Sequence, residues 1–162
     1  MARTSYVIGL GSNRRGRHGA PEREVRAALE ALAMGPGRVV AASPIIASAP
    51  LGPSIRRFAN AAVLVESDET PPDLLDRLKA IEARFGRRRG RRWGARVIDL
   101  DIILWSGGGW ADERLIVPHP LFRERVFVLG PLAAIVPRWR DPVTHRTVRQ
   151  LRHAVDRRAP SP

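Results

Sequence analysis

Two aspartates, Asp99 and Asp101, have the clearest chemical potential in this sequence. They lie in residues 97–105, a stretch rich in β-branched side chains and free of proline, which predicts a β-strand. Side chains alternate along a strand, so both carboxylates project from one face with Cα atoms roughly 7 Å apart. That spacing suits one Mg²⁺ ion, or two ions bridged by a polyphosphate. An ordinary solvated strand face is the alternative, and the two aspartates alone do not decide between them.

The opposite face of this predicted strand is apolar and is expected to pack against the core. Alternation assigns four residues to it: Ile98, Leu100, Ile102 and Leu104. Val97 and Ile103 are expected on the side of the aspartates. The strand is therefore predicted to be anchored by one face and to carry its charges on the other.

An arginine-rich segment, residues 86–96, comes directly before the strand. Its guanidinium groups belong to Arg87, Arg88, Arg89, Arg91, Arg92 and Arg96. Two carboxylates are too few to balance these positive charges, and arginine makes bidentate contacts with phosphate oxygens. Gly86, Gly90 and Gly94 let the backbone bend, and Trp93 offers a flat face for a ring. The alternative is a disordered basic loop that binds anions nonspecifically, but the adjacent strand with its two carboxylates favours a polyphosphate site.

The composition fits a single globular domain in the cytoplasm. The chain has 162 residues, of which 44% are hydrophobic, and it has no cysteine, so neither a disulfide framework nor a thiolate metal site is available. The four histidines lack zinc-site spacing, the N-terminus lacks a signal-peptide layout, and no apolar run approaches the length of a membrane span. The net charge is +12, and Lys79 is the only lysine among the 28 basic residues. Such a charge steers anionic ligands and makes nucleic acid the main rival partner.

The elements that must position these groups follow from hydrophobic periodicity and from turn residues. Strands are predicted over residues 5–10, 38–48 with an interruption near Pro44, 58–66 and 97–105, and a short one over 115–120. Helices are predicted from Pro21 to around residues 35–37, from the N-cap Thr70 to Gly86, over part of 125–136, and after Thr147. No repeat or linker divides the chain, so we expect one domain over residues 1–156 and a disordered tail over 157–162.

Several of these motifs resemble one known family. The run R-W-G-A-R-V-I-D-L-D-I-I-L, residues 92–104, resembles the signature of the 6-hydroxymethyl-7,8-dihydropterin pyrophosphokinases of folate biosynthesis. G-L-G-S-N at 9–13, V-P-H-P at 117–120 and R-V-F-V-L-G-P-L at 125–132 match the family in the same order. The resemblance implies an α+β fold, a single domain with a ferredoxin-like antiparallel-rich sheet and helices packed on its faces. It also implies transfer of pyrophosphate from ATP to the pterin alcohol, giving AMP, with two Mg²⁺ ions as the cofactor.

The resemblance further implies roles for individual residues. Arg87 and Arg96 would be catalytic, and Asp99 and Asp101 would bind the metal ions. Contacts with ATP would come from Glu82, Arg89, Arg92, Trp93, Ile102, Arg114, His119 and Arg125. Contacts with the pterin would come from Ser48, Leu51, Gly52, Phe58, Asn60, Trp93 and Phe127. The enzyme is expected to be a monomer whose partners are ATP and the pterin, with no membrane partner.

Two alternatives remain at this point. Residues 46–48 lack the tyrosine and threonine that the family commonly has there, residues 53–58 are short and basic, and the arginine-rich loop is one residue shorter. The altered residues of the pterin side favour a divergent paralogue that uses another acceptor alcohol. The +12 charge favours a nucleic-acid-binding ferredoxin-like module, although the aromatic strand motif of that class is absent and the chain has one tyrosine. A P-loop kinase is excluded because the chain has no G-x-x-x-x-G-K-[ST] motif.

Overall fold

The computed structural model describes residues 3–48, 57–86 and 96–158. Its strands are β1 (Thr4–Ser12), β2 (Arg38–Ala42), β3 (Ile46–Ser48), β4 (Phe58–Ser67), β5 (Asp99–Trp105), β6 (Trp110–Ala111) and β7 (Ile116–Val117). Its helices are α1 (Pro21–Ala33), α2 (Pro71–Phe85), α3 (Val126–Ile135) and α4 (Val148–Arg158), with a 3-10 turn at Phe122–Glu124. The predicted elements are confirmed in kind and order, and the two-residue strand β6 and the 3-10 turn were not anticipated.

The main sheet is antiparallel, with the strand order β2-β4-β1-β5, and β3 also pairs with β4. A β-α-β-β-α-β chain with this order is the ferredoxin-like arrangement that the resemblance implied. The interruption predicted near Pro44 separates β2 from β3, and both short strands pair with β4. Ser43 bridges this break, because its N–H donates to the Ala62 carbonyl at 2.9 Å while its Oγ accepts from the Ala62 N–H at 2.8 Å.

Two helices cover one face of the sheet. Helix α1 starts with proline at its first position, and α2 starts after Thr70, whose Oγ1 accepts a hydrogen bond from the Asp73 N–H at 3.3 Å. The end of α2 is at Gly86, whose φ of 86° is a conformation that favours glycine. Their apolar residues pack on alternate side chains of the strands in the larger core cluster, which includes Ile8, Leu10, Val25, Ala28, Leu32, Leu74, Leu78, Ile81, Leu100 and Ile102.

Helices α3 and α4 pack on the opposite face of the sheet. The core between them and the strands includes Val7, Ile103, Leu104, Phe122, Leu129, Leu132, Val148 and Leu151. Thr147 caps α4 as predicted, because its Oγ1 accepts a hydrogen bond from the Gln150 N–H at 3.1 Å. Helices therefore lie on both faces of the sheet, and α3 keeps its helical course despite Pro131.

The alternation predicted for β5 fails at one point. The register of β5 against β1 shifts, so that Val7 lies opposite Leu104 whereas Ile8 lies opposite Ile102. A β-bulge of this kind places one extra residue, here Ile103, on the bulged strand. Leu104 consequently packs with Val7 in the core beneath α3 and α4. The prediction that Leu104 shares a face with Ile102 was therefore wrong, because a bulge reverses the alternation beyond it.

The C-terminal helix continues further than expected. Arg157 and Arg158 belong to α4, although the disordered tail was predicted to begin at residue 157. Residues 159–162 lie outside the described part of the chain. Among the helices of the described ranges, none combines the length and the apolar composition that crossing a bilayer requires.

Candidate active site

A cleft of about 490 Å³ lies between the sheet and the first turns of α3. Strands β1, β4 and β5 form its floor, and the beginning of α3 forms one wall. The described residues that line it are Gly9, Leu10, Gly11, Ser12, Asn13, Phe58, Asn60, Ala61, Asp99, Asp101, Ile103, Arg125, Phe127, Val128 and Leu132. Residues predicted to bind metal, ATP and pterin therefore meet in one cavity, which is wide enough for a drug-sized ligand.

Cross-strand pairing arranges the floor of the cleft in rows. Gly11 on β1 pairs with Asn60 on β4 and with Asp99 on β5. Gly9 pairs in the same way with Ala62 and Asp101. With neighbouring strands about 4.8 Å apart, the Cα atoms of Asn60 and Asp99 are separated by roughly 10 Å. An amide and a carboxylate thus face the same cleft, with only a glycine between them.

The two glycines of β1 were missed as site residues. As a motif, G-L-G-S-N matches the family but assigns no residue to the site. A Cβ at Gly11 would lie 3.0 Å from Asn60 Oδ1, and one at Gly9 would lie 3.3 Å from the Ile103 side chain. Glycine weakens a strand interior, so two glycines at alternate positions were the signal of a close approach on one face.

The two aspartates are exposed in the cleft and lie close to other charges. Burial raises the pKa of the Asp99 carboxyl, the neighbouring carboxylates of Asp101 and Glu82 raise it further, and Arg96 opposes the rise. The described residues contain no cluster of three acidic, histidine or cysteine side chains that could hold a metal ion. Two carboxylates fit Mg²⁺, which is commonly bound by one or two carboxylates together with waters and substrate phosphates.

Glu82 lies beneath this site and is 4% exposed. Its Oε2 accepts a hydrogen bond from the Leu100 N–H at 2.8 Å, which ties α2 to β5. Its Oε1 accepts from Lys79 Nζ at 3.2 Å and from Arg96 Nη1 at 3.1 Å. Glu82 is therefore a buried support for Arg96, and the contact with ATP that the resemblance implied stays a prediction.

Arg96 joins Glu82 to the exposed Asp99. Its Nη1 donates to Glu82, and its Nε lies 3.4 Å from Asp99 Oδ1. The chain next to Arg96 is fixed from both sides, because the Val97 N–H donates to the Gly86 carbonyl at 3.3 Å and the Val97 carbonyl accepts from Ser12 Oγ at 2.7 Å. Arg96, one of the two predicted catalytic arginines, thus lies beside Asp99, which is predicted to bind metal. The other predicted loop residues, Arg87, Arg89, Arg92 and Trp93, lie outside the described residues.

His119 does not line the cleft, but it lies close enough to Asp101 and Arg125 for their charges to act on it. His119 lies between two prolines and is half-buried, and its backbone N–H donates to the Ile103 carbonyl at 3.0 Å. Burial lowers the pKa of His119, as does Arg125, whereas Asp101 acts in the opposite direction. Its Nδ1 accepts from the Leu121 N–H at 3.1 Å, so the neutral ring carries its proton on Nε2. The Arg125 guanidinium lies 5.7 Å from the ring centroid of Phe127, which is 53% exposed.

Some predicted site residues lie elsewhere. Ile102 is 2% exposed in the core beneath α1 and α2, so its side chain faces away from the aspartates. Arg114 pairs with Asp76 of α2 at 2.7 Å and does not line the cleft. Ser48 is the last residue of β3 and lies opposite Phe58. Leu51 and Gly52 lie outside the described residues.

Comparison with known proteins gives one consistent family. The family model for 7,8-dihydro-6-hydroxymethylpterin-pyrophosphokinase matches residues 7–137. A 2-amino-4-hydroxy-6-hydroxymethyldihydropteridine pyrophosphokinase of Methylorubrum extorquens is 46% identical over 136 residues, which cover 83% of this chain and 84% of that protein. The protein of the same name from Pseudomonas aeruginosa is 43% identical over 144 residues, which cover 88% and 86%.

Solved structures agree on the fold. Wild-type HPPK-DHPS of Plasmodium falciparum matches with a TM-score of 0.72 and 15% sequence identity, over 94% of this chain. The chain spans 45% of that longer chain, and at this identity the likeness concerns the fold alone. The sequence matches carry the assignment further. This chain belongs to the 7,8-dihydro-6-hydroxymethylpterin-pyrophosphokinase family.

Proposed function

We propose that this chain transfers pyrophosphate from ATP to 6-hydroxymethyl-7,8-dihydropterin, giving AMP and the pterin pyrophosphate in folate biosynthesis. The family assignment supports the reaction. The observation that carries the proposal furthest is the row Asn60, Gly11, Asp99 across three strands of one cleft. An amide that can hydrogen-bond a heterocycle and a carboxylate that can hold a metal–phosphate complex are separated by roughly 10 Å.

Asp99 and Asp101 would hold Mg²⁺, and we assign two ions to the site. When bound, the ions would neutralise the phosphate charge and orient the chain of phosphates. The two carboxylates repel each other without a cation, in accord with the raised pKa of Asp99. Arg96 pairs with both Asp99 and the buried Glu82. Its guanidinium is therefore near enough to the proposed metal site to contact a phosphate bound there.

The acceptor would lie between the sheet and Phe127. Gly11 leaves the floor flat, Asn60 offers an amide edge, and the exposed rings of Phe58 and Phe127 suit a planar heterocycle. The pterin hydroxymethyl oxygen would then bond to the β-phosphorus of ATP, while the bond from that phosphorus to the oxygen that bridges it to the α-phosphorus breaks. AMP leaves with the bridging oxygen, and the alcohol proton is released.

The remaining groups of the chain act by position and charge. Arg125 at the cleft and the arginines predicted in the loop would stabilise the charge on the transferred group. When its ring is neutral, His119 presents an Nε2–H donor in the neighbourhood of Asp101 and Arg125. Monomeric state and cytoplasmic location stay predictions of the sequence.

The test is a product assay with purified protein, Mg-ATP and 6-hydroxymethyl-7,8-dihydropterin, in which AMP is resolved from ADP. AMP that forms only when the pterin is present is the expected result. ADP as the product, or AMP without dependence on the pterin, would refute the proposal. A protein that binds Mg-ATP but turns over no pterin would favour the paralogue with another acceptor alcohol.

That second candidate draws on one specific feature. Residues 46–48, which pair with residues 58–60 of β4, differ from the pattern common in the family, as does the sequence of residues 53–58. A panel of alcohols that carry planar rings other than pterin, assayed for AMP, distinguishes the two candidates. Turnover of the pterin well above every other alcohol would exclude the paralogue.

A further inference from the structure

Asp141 is a fully buried carboxylate that does not line the cleft. It accepts hydrogen bonds from Arg123 Nε at 2.5 Å and from Arg123 Nη2 at 2.8 Å. Thr144 Oγ1 donates to it at 2.7 Å and the Val143 N–H at 3.0 Å. Burial alone would raise the pKa of Asp141, but the hydrogen bonds from Arg123, Thr144 and Val143 outweigh burial and lower this pKa to about 2. Asp141 is therefore charged and paired with Arg123 at pH values well above 2.

Arg123 belongs to the 3-10 turn that leads directly into α3. Its guanidinium lies 4.8 Å above the ring centroid of Phe122, and Phe122 is fully buried in the core beneath α3 and α4. The Arg125 N–H donates to the Phe122 carbonyl at 3.4 Å. The Arg125 carbonyl in turn accepts from the N–H groups of Val128 and Leu129 at 3.0 and 2.9 Å. The turn and the first turn of α3 are thus one hydrogen-bonded unit.

This first turn of α3 has no side-chain cap. Arg125 occupies the N-cap position, and its side chain makes no capping hydrogen bond. Helix ends that lack a cap depend on other contacts to fix their direction. Here the bidentate contact from Arg123 to Asp141 supplies such a contact, from a segment 18 residues further along the chain. A planar fork between guanidinium and carboxylate fixes orientation as well as distance.

We propose that Asp141 is a positioning residue for the cleft: through Arg123 it sets the direction of the first turn of α3, from which Arg125 and Phe127 reach the ligands. The proposal rests on the proposed function for the identity of those ligands, and on geometry for the coupling itself. A purely stabilising pair is the competing explanation. Buried ion pairs are frequently no more stabilising than apolar residues of the same volume. The contribution that we assign to this pair is therefore the fixed orientation of Arg123.

The experiment compares Asp141→Asn with Val148→Ala in the full-length protein. Val148 is fully buried in the same core, and its side chain takes no part in the ion pair, so its truncation lowers stability without disturbing the fork. The first readout is hydrogen exchange at the Val128 and Leu129 amides, which bond to Arg125. We expect Asp141→Asn to reduce their protection about tenfold relative to amides of β1, as the loss of a charged hydrogen bond predicts.

The second readout is the equilibrium affinity for Mg-ATP and for 6-hydroxymethyl-7,8-dihydropterin. We expect Asp141→Asn to weaken at least one of them about tenfold, and Val148→Ala to leave both near wild type at temperatures where each variant is folded. Arg123→Lys keeps the charge but loses the fork, and it should share the defect of Asp141→Asn. It also keeps the test decisive if Asp141→Asn does not fold.

Equal exchange and equal affinities in the Asp141→Asn and Val148→Ala variants, at matched loss of Tm, would overturn the positioning role. So would wild-type exchange and wild-type affinities in the Arg123→Lys variant. The exchange comparison needs no turnover. It therefore judges the coupling even if the wild-type protein makes no AMP, an outcome that would refute the proposed function alone.

Discussion

Gly11 and Asn60 face each other across β1 and β4, and a Cβ at position 11 would lie 3.0 Å from Asn60 Oδ1. The absence of a side chain at position 11 is therefore what lets the Asn60 amide occupy its place at the cleft. The contact is tight enough that a methyl group would displace the amide by a few tenths of an ångström. The sheet can absorb this change, whereas a hydrogen bond to a bound heterocycle is sensitive to it.

Gly11→Ala should raise KM for the pterin about tenfold, which corresponds to about 1.4 kcal/mol, while the affinity for Mg-ATP changes little. Gly130→Ala is the matched control, since a Cβ there meets nothing within 4 Å. Steady-state kinetics with each substrate varied in turn provide the measurement. A rise in KM for ATP as large as that for the pterin would contradict the assignment of Asn60 to the acceptor.

Glu82→Gln should lower kcat at least tenfold. The substitution keeps the shape of the side chain but leaves Arg96 without its buried counter-charge, and disrupting a buried pair is costly. Lys79→Ala is the control: Lys79 contacts the same carboxylate oxygen but is half exposed, so its loss should cost less than about 1 kcal/mol of stability and little activity. Similar kinetics for the two variants would show that support of Arg96 is not the role of Glu82.

Arg96→Ala should reduce kcat far more than it weakens ATP binding. The guanidinium lies 3.4 Å from Asp99, beside the proposed metal and phosphate site, so most of its contribution is expected where negative charge develops during transfer. Comparing kcat with the equilibrium Kd for Mg-ATP separates the two effects. A loss confined to binding would mean that Arg96 is not catalytic.

Asp99→Ala should abolish turnover, because only two carboxylates of the described residues face the cleft where the metal is expected. Asp76→Ala is a suitable control, since Asp76 is an exposed acid that pairs with Arg114 outside the cleft. Titration with Mn²⁺ in the presence of ATP, followed by magnetic resonance, reports metal binding without any turnover. Normal activity in the Asp99 variant would refute its metal role.

The free energy of unfolding should fall in strong acid because of Asp141. Its pKa is about 2 in the folded protein and about 3.8 in the unfolded chain, so its stabilising effect is complete above pH 3.8 and is lost as the pH falls towards 2. The difference corresponds to about 2 kcal/mol. Urea unfolding at several pH values between 2 and 6, for wild type and Asp141→Asn, measures this effect. If the free energy of unfolding changed equally with pH in the two proteins over that range, the result would argue against a charged pair of Asp141 and Arg123.

Local pattern alone was enough for much of the molecule. Period-two alternation located the strands, the helical spacing and caps of α1 and α2 gave their bounds, and a break at Pro44 divided β2 from β3. The same alternation placed Asp99 and Asp101 on one exposed face, as the cleft confirms. These features depend on neighbours within a few residues, and the run at 92–104 was sufficiently specific to indicate the family.

Tertiary structure decided what depends on distant neighbours. The bulge at Ile103 turned Leu104 to the other face because the register with β1, and not the local pattern, sets alternation there. Glu82 became a buried support because three partners reach it, from α2, β5 and the chain just before β5. Arg123 and Asp141 are 18 residues apart, and no spacing rule joins them. Charges and glycines acquire their roles from what the fold brings beside them, and a linear pattern does not contain that information.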